Sequence, residues 1–169
     1  MRKHVPVLLV LACLSVISLR AQHVPEDQLT VTDHPEHELA GIKVYGMTIK
    51  QVIDLYGQPN SKEKDKQGLP IYIWQRSGIK LQVGTAYDNP DNVYAVDVWG
   101  TKPAGELGKT HQGLMLGSDL NDLKKIYGPK VIQHHPTEAM IAFHDDTMLT
   151  VGLDDGGRVN HISLVGAVE

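Results

Sequence analysis

Cysteine is almost absent from this chain. Cys13 is the only one among 169 residues, so no intrachain disulfide can staple the fold. Basic residues are also short, with 16 Lys and Arg against 20 Asp and Glu. That balance does not favour a phosphate backbone, and nucleic acid is not an expected partner. Val5 to Leu19 is apolar but falls short of the ~20 residues a membrane-spanning helix needs. Catalytic motifs are missing too: there is no H-E-x-x-H, no cysteine pair and no G-x-S-x-G elbow. Gly108-Lys109-Thr110 resembles the end of a phosphate-binding loop, but the pattern requires glycine where Pro103 stands, and proline has no N–H to offer a phosphate. Asp145-Asp146 and Asp154-Asp155 fall in turn sequences, where aspartate bonds locally rather than flanking a substrate. Lacking a convergent acid, base and nucleophile, the chain is expected not to be an enzyme and to carry no cofactor.

What is present begins with an export signal. Arg2 and Lys3 precede the apolar run, and Ala21 before Gln22 offers a cleavage point, so residues 1–21 read as a signal peptide. Removing them takes away Arg2, Lys3 and Arg20 and no acid. That leaves 13 basic residues against 20 acidic, a net charge of −7 with histidine neutral. A rival cut exists: Val10-Leu11-Ala12-Cys13 is similar to a bacterial lipobox, in which the cysteine becomes a lipidated first residue. The apolar stretch Leu14 to Leu19 speaks against it, because a lipoprotein tether is normally polar. Either way the protein is exported, as a periplasmic or secreted protein or as an outer-membrane lipoprotein. Membrane contact follows only from lipidation at Cys13. Residues 22–40 are polar, with Pro25 and Pro35, and read as a flexible leader.

The rest of the chain repeats itself. Gly46-Met47-Thr48-Ile49-Lys50-Gln51-Val52-Ile53-Asp54-Leu55-Tyr56-Gly57 returns 71 residues later as Gly117-Ser118-Asp119-Leu120-Asn121-Asp122-Leu123-Lys124-Lys125-Ile126-Tyr127-Gly128. Downstream, Leu81-Gln82-Val83-Gly84 matches Leu149-Thr150-Val151-Gly152, and Val93 to Gly100 matches Val159 to Gly166. Each repeat opens on a capping box, Thr48 with Gln51 and Asp119 with Asp122, followed by apolar residues on one helical face. Gly57 and Gly128 sit where a terminating glycine belongs, and Pro59 or Pro129 prevents continuation. Period-two alternation then predicts strands at Ile71–Ile73, Ile79–Val83 and Tyr94–Val98, and at Ile141–Phe143, Leu149–Leu153 and Ile162–Leu164. Further strands are expected near 61–66 and 130–135. The expected class is α+β: two tandem units, each a short helix packed on one face of a three- to four-stranded antiparallel sheet. Unit 1 spans residues 41–100, a linker spans 101–112, and unit 2 spans 113–169. Units of this size are marginal alone and should pack as one body.

Parity assigns the opposite sheet face. In unit 1 it carries Tyr72, Trp74, Arg76, Lys80, Gln82, Asp97 and Trp99. In unit 2 it carries Met140, His144, Met148, Thr150, His161, Ser163 and Val165. Aromatics beside an arginine are the usual anchors of a binding surface, so Tyr72, Trp74, Arg76 and Trp99 are the candidate protein-contact residues. If the sheets or the linker covered each other's open faces, the same residues would be core instead. Nine histidines are present, including His34 and His37, His134 and His135, and His144 with His161 on one predicted face. They could hold zinc or copper in a periplasmic metal-binding protein. Their spacing matches no dedicated chelate, so no metal ligand is assigned.

Gly46-Met47-Thr48, then Gln51-Val52, then Tyr56-Gly57-Gln58-Pro59, resembles the opening motif of the SmpA/BamE small envelope lipoproteins. Two such units in tandem resemble the secreted β-lactamase inhibitor proteins. The likeness covers residues 41–100 well and 113–166 weakly. It implies a helix and a small antiparallel sheet per unit, and binding roles: outer-membrane assembly in the first family, clasping an enzyme with the open sheet face in the second. Neither has catalytic residues to carry over. Repeat 2 lacks the Met-Thr pair, and the inhibitors' paired cysteines are absent here. The resulting expectation is an exported protein-binding module of the bacterial cell envelope, whose partner is another envelope or secreted protein. An inhibitor of a secreted hydrolase is the alternative.

Overall fold

The structure, a computed structural model, describes residues 31–32, 36–128, 131–143 and 147–166; side chains are not described at 31–32, 132–134, 140, 142 and 143. The signal segment with Cys13, residues 22–30 and 33–35 of the expected leader with Pro25, His34 and Pro35, and Pro129, His144 and Asp145-Asp146 lie outside the described residues.

Both capping boxes start helices. In α1 (Ile49–Tyr56), the Gln51 amide donates to the Thr48 hydroxyl at 3.4 Å and the Thr48 amide returns a bond to Gln51 Oε1 at 2.8 Å. In α2 (Leu120–Tyr127), Asp119 accepts from the amides of Asn121 and Asp122, and Asp122 accepts from the Asp119 amide at 3.1 Å. Gly57 (φ 73°) and Gly128 (φ 90°) close them in a region that side chains rarely adopt.

The strands are β1 (Val31–Thr32), β2 (Glu38–Leu39), β3 (Ile42–Lys43), β4 (Ser61–Lys64), β5 (Pro70–Arg76), β6 (Ile79–Thr85), β7 (Val93–Trp99), β8 (Ile132–His135), β9 (Glu138–Phe143), β10 (Thr147–Leu153) and β11 (Val159–Gly166). Two tandem helix-on-sheet units are not what they form. A single sheet runs β1-β9-β10-β11-β7-β6-β5-β4, with β8 also on β9, and the predominantly β body carries two short helices. The units fuse through β7 and β11, which pair antiparallel from His161↔Trp99 to Val165↔Ala95. Left unpaired, each would expose a row of backbone donors and acceptors on an apolar strand. Pairing them satisfies both edges at once.

One apolar cluster lies under that sheet. It takes Leu81, Val83, Val96 and Val98 from the first half and Leu149, Val151, Ile162 and Leu164 from the second. Ile49 and Val52 of α1, and Leu123 and Tyr127 of α2, pack into it. So do Leu107, Leu114 and Leu116, in and just after the expected linker. Fully burying a side chain of this size contributes roughly 1.5–3 kcal/mol. A core shared this way removes any separate core for either half.

Residues 31–32 and 36–40 of the expected leader are also part of this body. Leu39 and Ala40 are fully buried, β2 pairs with β3, and β1 lies parallel to β9. Glu36 is fully buried with its carboxylate satisfied. Its Oε2 accepts from the Tyr127 hydroxyl (2.9 Å) and the Gln112 amide (3.1 Å), and its Oε1 from the Glu38 amide (3.2 Å). Thr147 donates to the Glu36 carbonyl at 3.0 Å. A buried carboxylate is tolerated only with such partners. Polarity along residues 36–40 therefore marks a bonded strap rather than a loose tether.

Candidate functional site

Strand register separates the two sheet faces. Trp74, Leu81, Val98, Ile162, Val151 and Ala139 lie opposite one another across six strands, as do Tyr72, Val83, Val96, Leu164, Leu149 and Ile141. These are the rows that face the core. Tyr72 (9% exposed) and Trp74 (1% exposed) therefore belong to the core, which corrects their expected place on the open face. The phase was ambiguous because Ile71-Tyr72-Ile73-Trp74 is apolar at both parities. The indole decides it: Trp74 Nε1 donates to the Gly57 carbonyl at the end of α1 (2.9 Å), a partner found only on the helix side. Arg76 lies at the exposed end of the same strand, and its guanidinium donates to the Tyr56 carbonyl, so it too belongs to the helix side. Of the four candidate contact residues, Trp99 alone is on the open face.

There it has company that neither repeat carries by itself. The Trp99 and His161 rings stack at 4.5 Å between centroids with 3° between planes. Lys80 places its ammonium 4.8 Å from the Trp99 ring centroid, in cation–π range. Asp97 Oδ1 lies 3.2 Å from His161 Nε2. A carboxylate only accepts, so Nε2 carries a proton and the imidazole is held upright. Gln82, Asp97, Ser163 and Thr150 form the adjacent polar row, with Ser163 only 8% exposed at its centre. Parity assigns Lys80, Asp97, Trp99, His161 and Ser163 correctly to this face. The missing signal is that β7 and β11 are neighbours, which brings Trp99 and His161 together.

Asp97 and Ser163 pair directly and occupy equivalent places in the two repeats. A pseudo-two-fold axis therefore passes between them. It relates the row Lys80, Trp99, His161, Gly152, Glu138 to the row Met148, Val165, Ala95, Gly84, Ile71. Backbone positions match one for one, yet the chemistry does not. Only glycine is common to both.

The remaining histidine candidates do not gather. His37 and His135 are exposed, and the His134 side chain is not described. Among the described residues no three His, Cys, Asp or Glu side chains converge on a metal-sized site. Three tyrosines away from the open face have raised pKa values. Tyr56 is pushed up to about 12, by burial first and by Glu106 second, with Arg76 opposing. Burial and then Glu36 push Tyr127 well above the ordinary range against the Thr110 hydrogen bond, and burial with Tyr45 raises Tyr94.

No protein-family model matches the chain, and no curated protein matches it. Two solved structures are similar in shape. One is a cysteine-rich secretory protein of Staphylococcus aureus, with TM-score 0.48 and 16% identity over 78% of this chain; the chain spans 47% of that protein. The other is a DUF4309 family protein of Bacillus subtilis, with TM-score 0.48 and 16% identity, covering 78% of this chain and 87% of that one. A likeness at this level says nothing about what the chain binds.

Proposed function

We propose that the protein is an exported, non-enzymatic binding module of the bacterial cell envelope. It engages another envelope or secreted protein through the open sheet face, with Trp99, Lys80 and His161 as the central contacts. The observation that carries this reading is the asymmetry between the two related rows. Val165, Ala95 and Met148 show that this backbone needs no tryptophan, histidine or lysine at those positions. Large amphipathic side chains placed where folding does not demand them are the usual currency of interface anchors.

The arrangement also supports a binding rather than a catalytic role. His161 is oriented by Asp97, but no hydrogen bond joins its ring to Ser163 or Thr150, so base and nucleophile are not coupled. The test is a photo-crosslinker placed at Gln82 on the open face and, separately, at exposed Asn121 on α2, exposed to envelope extract. Adducts from Gln82 alone, abolished by Trp99→Ala in a still-folded protein, are the expected result. Equal adducts from Asn121, or indifference to Trp99→Ala, would overturn it.

A further inference from the structure

The stacked row stops short of the sheet edge, and where it stops there is a gap. Lys80, Trp99 and His161 stand side by side on β6, β7 and β11. The next position, on β10, is Gly152, and beyond it on β9 stands Glu138. His161 and Glu138 are thus two strand spacings apart, about 9.6 Å between backbones, and the residue between them is a glycine, with the Asn160 amide oxygen reaching its floor from the β-bulge on β11. The gap is not spacious at its floor: a Cβ built on Gly152 would lie 3.0 Å from His161 Cβ, 3.2 Å from Asn160 Oδ1 and 3.6 Å from His161 Nδ1, so a cationic group there would also meet an amide oxygen. It suits something thin and flat. Glu138, half-buried, forms no hydrogen bond or ion pair with another described residue, whereas the Asp97 carboxylate is already engaged by His161.

We propose that this gap takes the guanidinium of an arginine presented by the partner protein, stacked on the free face of the His161 ring and paired with the Glu138 carboxylate. The assignment rests on the open face being the binding surface and names the chemistry that surface reads. A planar group fits because stacking needs only about 3.5–4 Å on the imidazole side. A cation fits because the Glu138 carboxylate, with His135 as its cross-strand neighbour on β8, is bonded to no other described residue, and the row's own cation, Lys80, sits at its far end on Trp99. Arginine fits better than lysine because only a guanidinium stacks flat and also grips a carboxylate with two parallel bonds. The chain's own described arginines are spent elsewhere: Arg76 on the Tyr56 carbonyl and Arg158 on the Gly117 carbonyl at 3.3 Å. The pseudo-symmetric gap over Gly84 has Ala95 and Ile71 for walls and offers such a group nothing.

The probe is a short neutral-capped Gly-Arg-Gly peptide, with Gly-Lys-Gly as control, titrated while the Trp99 indole and His161 imidazole resonances are followed by NMR. The expected result is a saturable shift of both signals with the arginine peptide, about tenfold weaker with lysine and about tenfold weaker again in Glu138→Gln. Glu138→Gln keeps the side chain's shape on a half-buried site, so the fold should stay intact. Gly152→Ala is the second variant; it fills the gap and should abolish the shift. Equal response to both peptides, or no effect of Glu138→Gln, overturns the arginine site. Crosslinking at Gln82 separates the two levels. If it persists undiminished in Glu138→Gln while the peptides fail, the guanidinium site is wrong and the open-face reading stands. If it is absent from the parent protein as well, the open-face reading itself is wrong.

Discussion

Two rows of side chains cross the open face at positions related by the axis between Asp97 and Ser163, one built from Lys80, Trp99, His161, Gly152 and Glu138, the other from Met148, Val165, Ala95, Gly84 and Ile71. They serve as each other's control. The backbone is the same, so what the rows share belongs to the fold, and what they do not share is free to belong to function. Shared is the glycine: a Cβ at Gly152 would meet His161 at 3.0 Å, and one at Gly84 would meet Ala95 at 3.6 Å. Unshared are the indole, the imidazole and both charges. The two tyrosines ending the helices make a second, interior comparison. Tyr56 donates to the Ala40 carbonyl at 2.5 Å, and Tyr127 donates to the Glu36 carboxylate. Equivalent hydroxyls thus pin two points of one N-terminal strap, one through a neutral acceptor and one through a buried charge.

The largest expected effect sharpens the contrast between the tryptophans. Trp74→Ala removes a buried indole and its bond to Gly57 and should lower unfolding free energy by about 3–5 kcal/mol in urea titration. Trp99→Ala removes only surface stacking and should lower it by about 1 kcal/mol or less. Similar losses at both sites would mean that the open face is a second core.

Next come the tyrosines. Tyr127→Phe strips a donor from the buried Glu36 carboxylate and should destabilise by about 1–3 kcal/mol, whereas Tyr56→Phe should lose about 0.5–1.5 kcal/mol. An inverted order would break the comparison. The same residues set the alkaline limit. Tyr56 and Tyr127 have folded pKa values raised above the unfolded value near 10, so the fold favours the neutral phenol. That contribution is complete below pH 10 and is lost as pH rises toward about 12 and beyond. Absorbance at 295 nm should show these tyrosines ionising late, with unfolding. The smallest effect concerns the helix caps: Thr48→Ala and Asp119→Ala should each destabilise by about 1 kcal/mol, because both boxes close both bonds.

Local signals in the sequence read well because they rest on short-range chemistry. Thr48 with Gln51, Asp119 with Asp122, and the glycines at 57 and 128 place both helices. Alternation places β6, β7, β10 and β11 with the right face inward. Three things escaped, each for a physical reason. Alternation has no phase where Ile71-Tyr72-Ile73-Trp74 is apolar throughout, and only the distant Gly57 carbonyl resolves it. Pairing between β7 and β11 is non-local, so one sheet instead of two could not be read from either repeat. Glu36 looks like an ordinary polar residue of a leader until Tyr127 and Gln112, 91 and 76 residues away in sequence, meet its carboxylate. The open-face cluster shares the second of these causes: parity alone puts each member on the correct face, but their meeting depends on two strands 62 positions apart in register, Trp99 beside His161.

The most direct measurement exchanges one row for its counterpart: Lys80→Met, Trp99→Val and His161→Ala together, each residue replaced by the one its symmetry mate already uses. Thermal unfolding and crosslinking through Gln82 are then read on the same protein. If the row exists for binding, the unfolding midpoint should stay within about 5 °C of the parent while the crosslinked partner disappears. A protein that loses its fold, or one that keeps its partner undiminished, would contradict the assignment of this row as the binding surface.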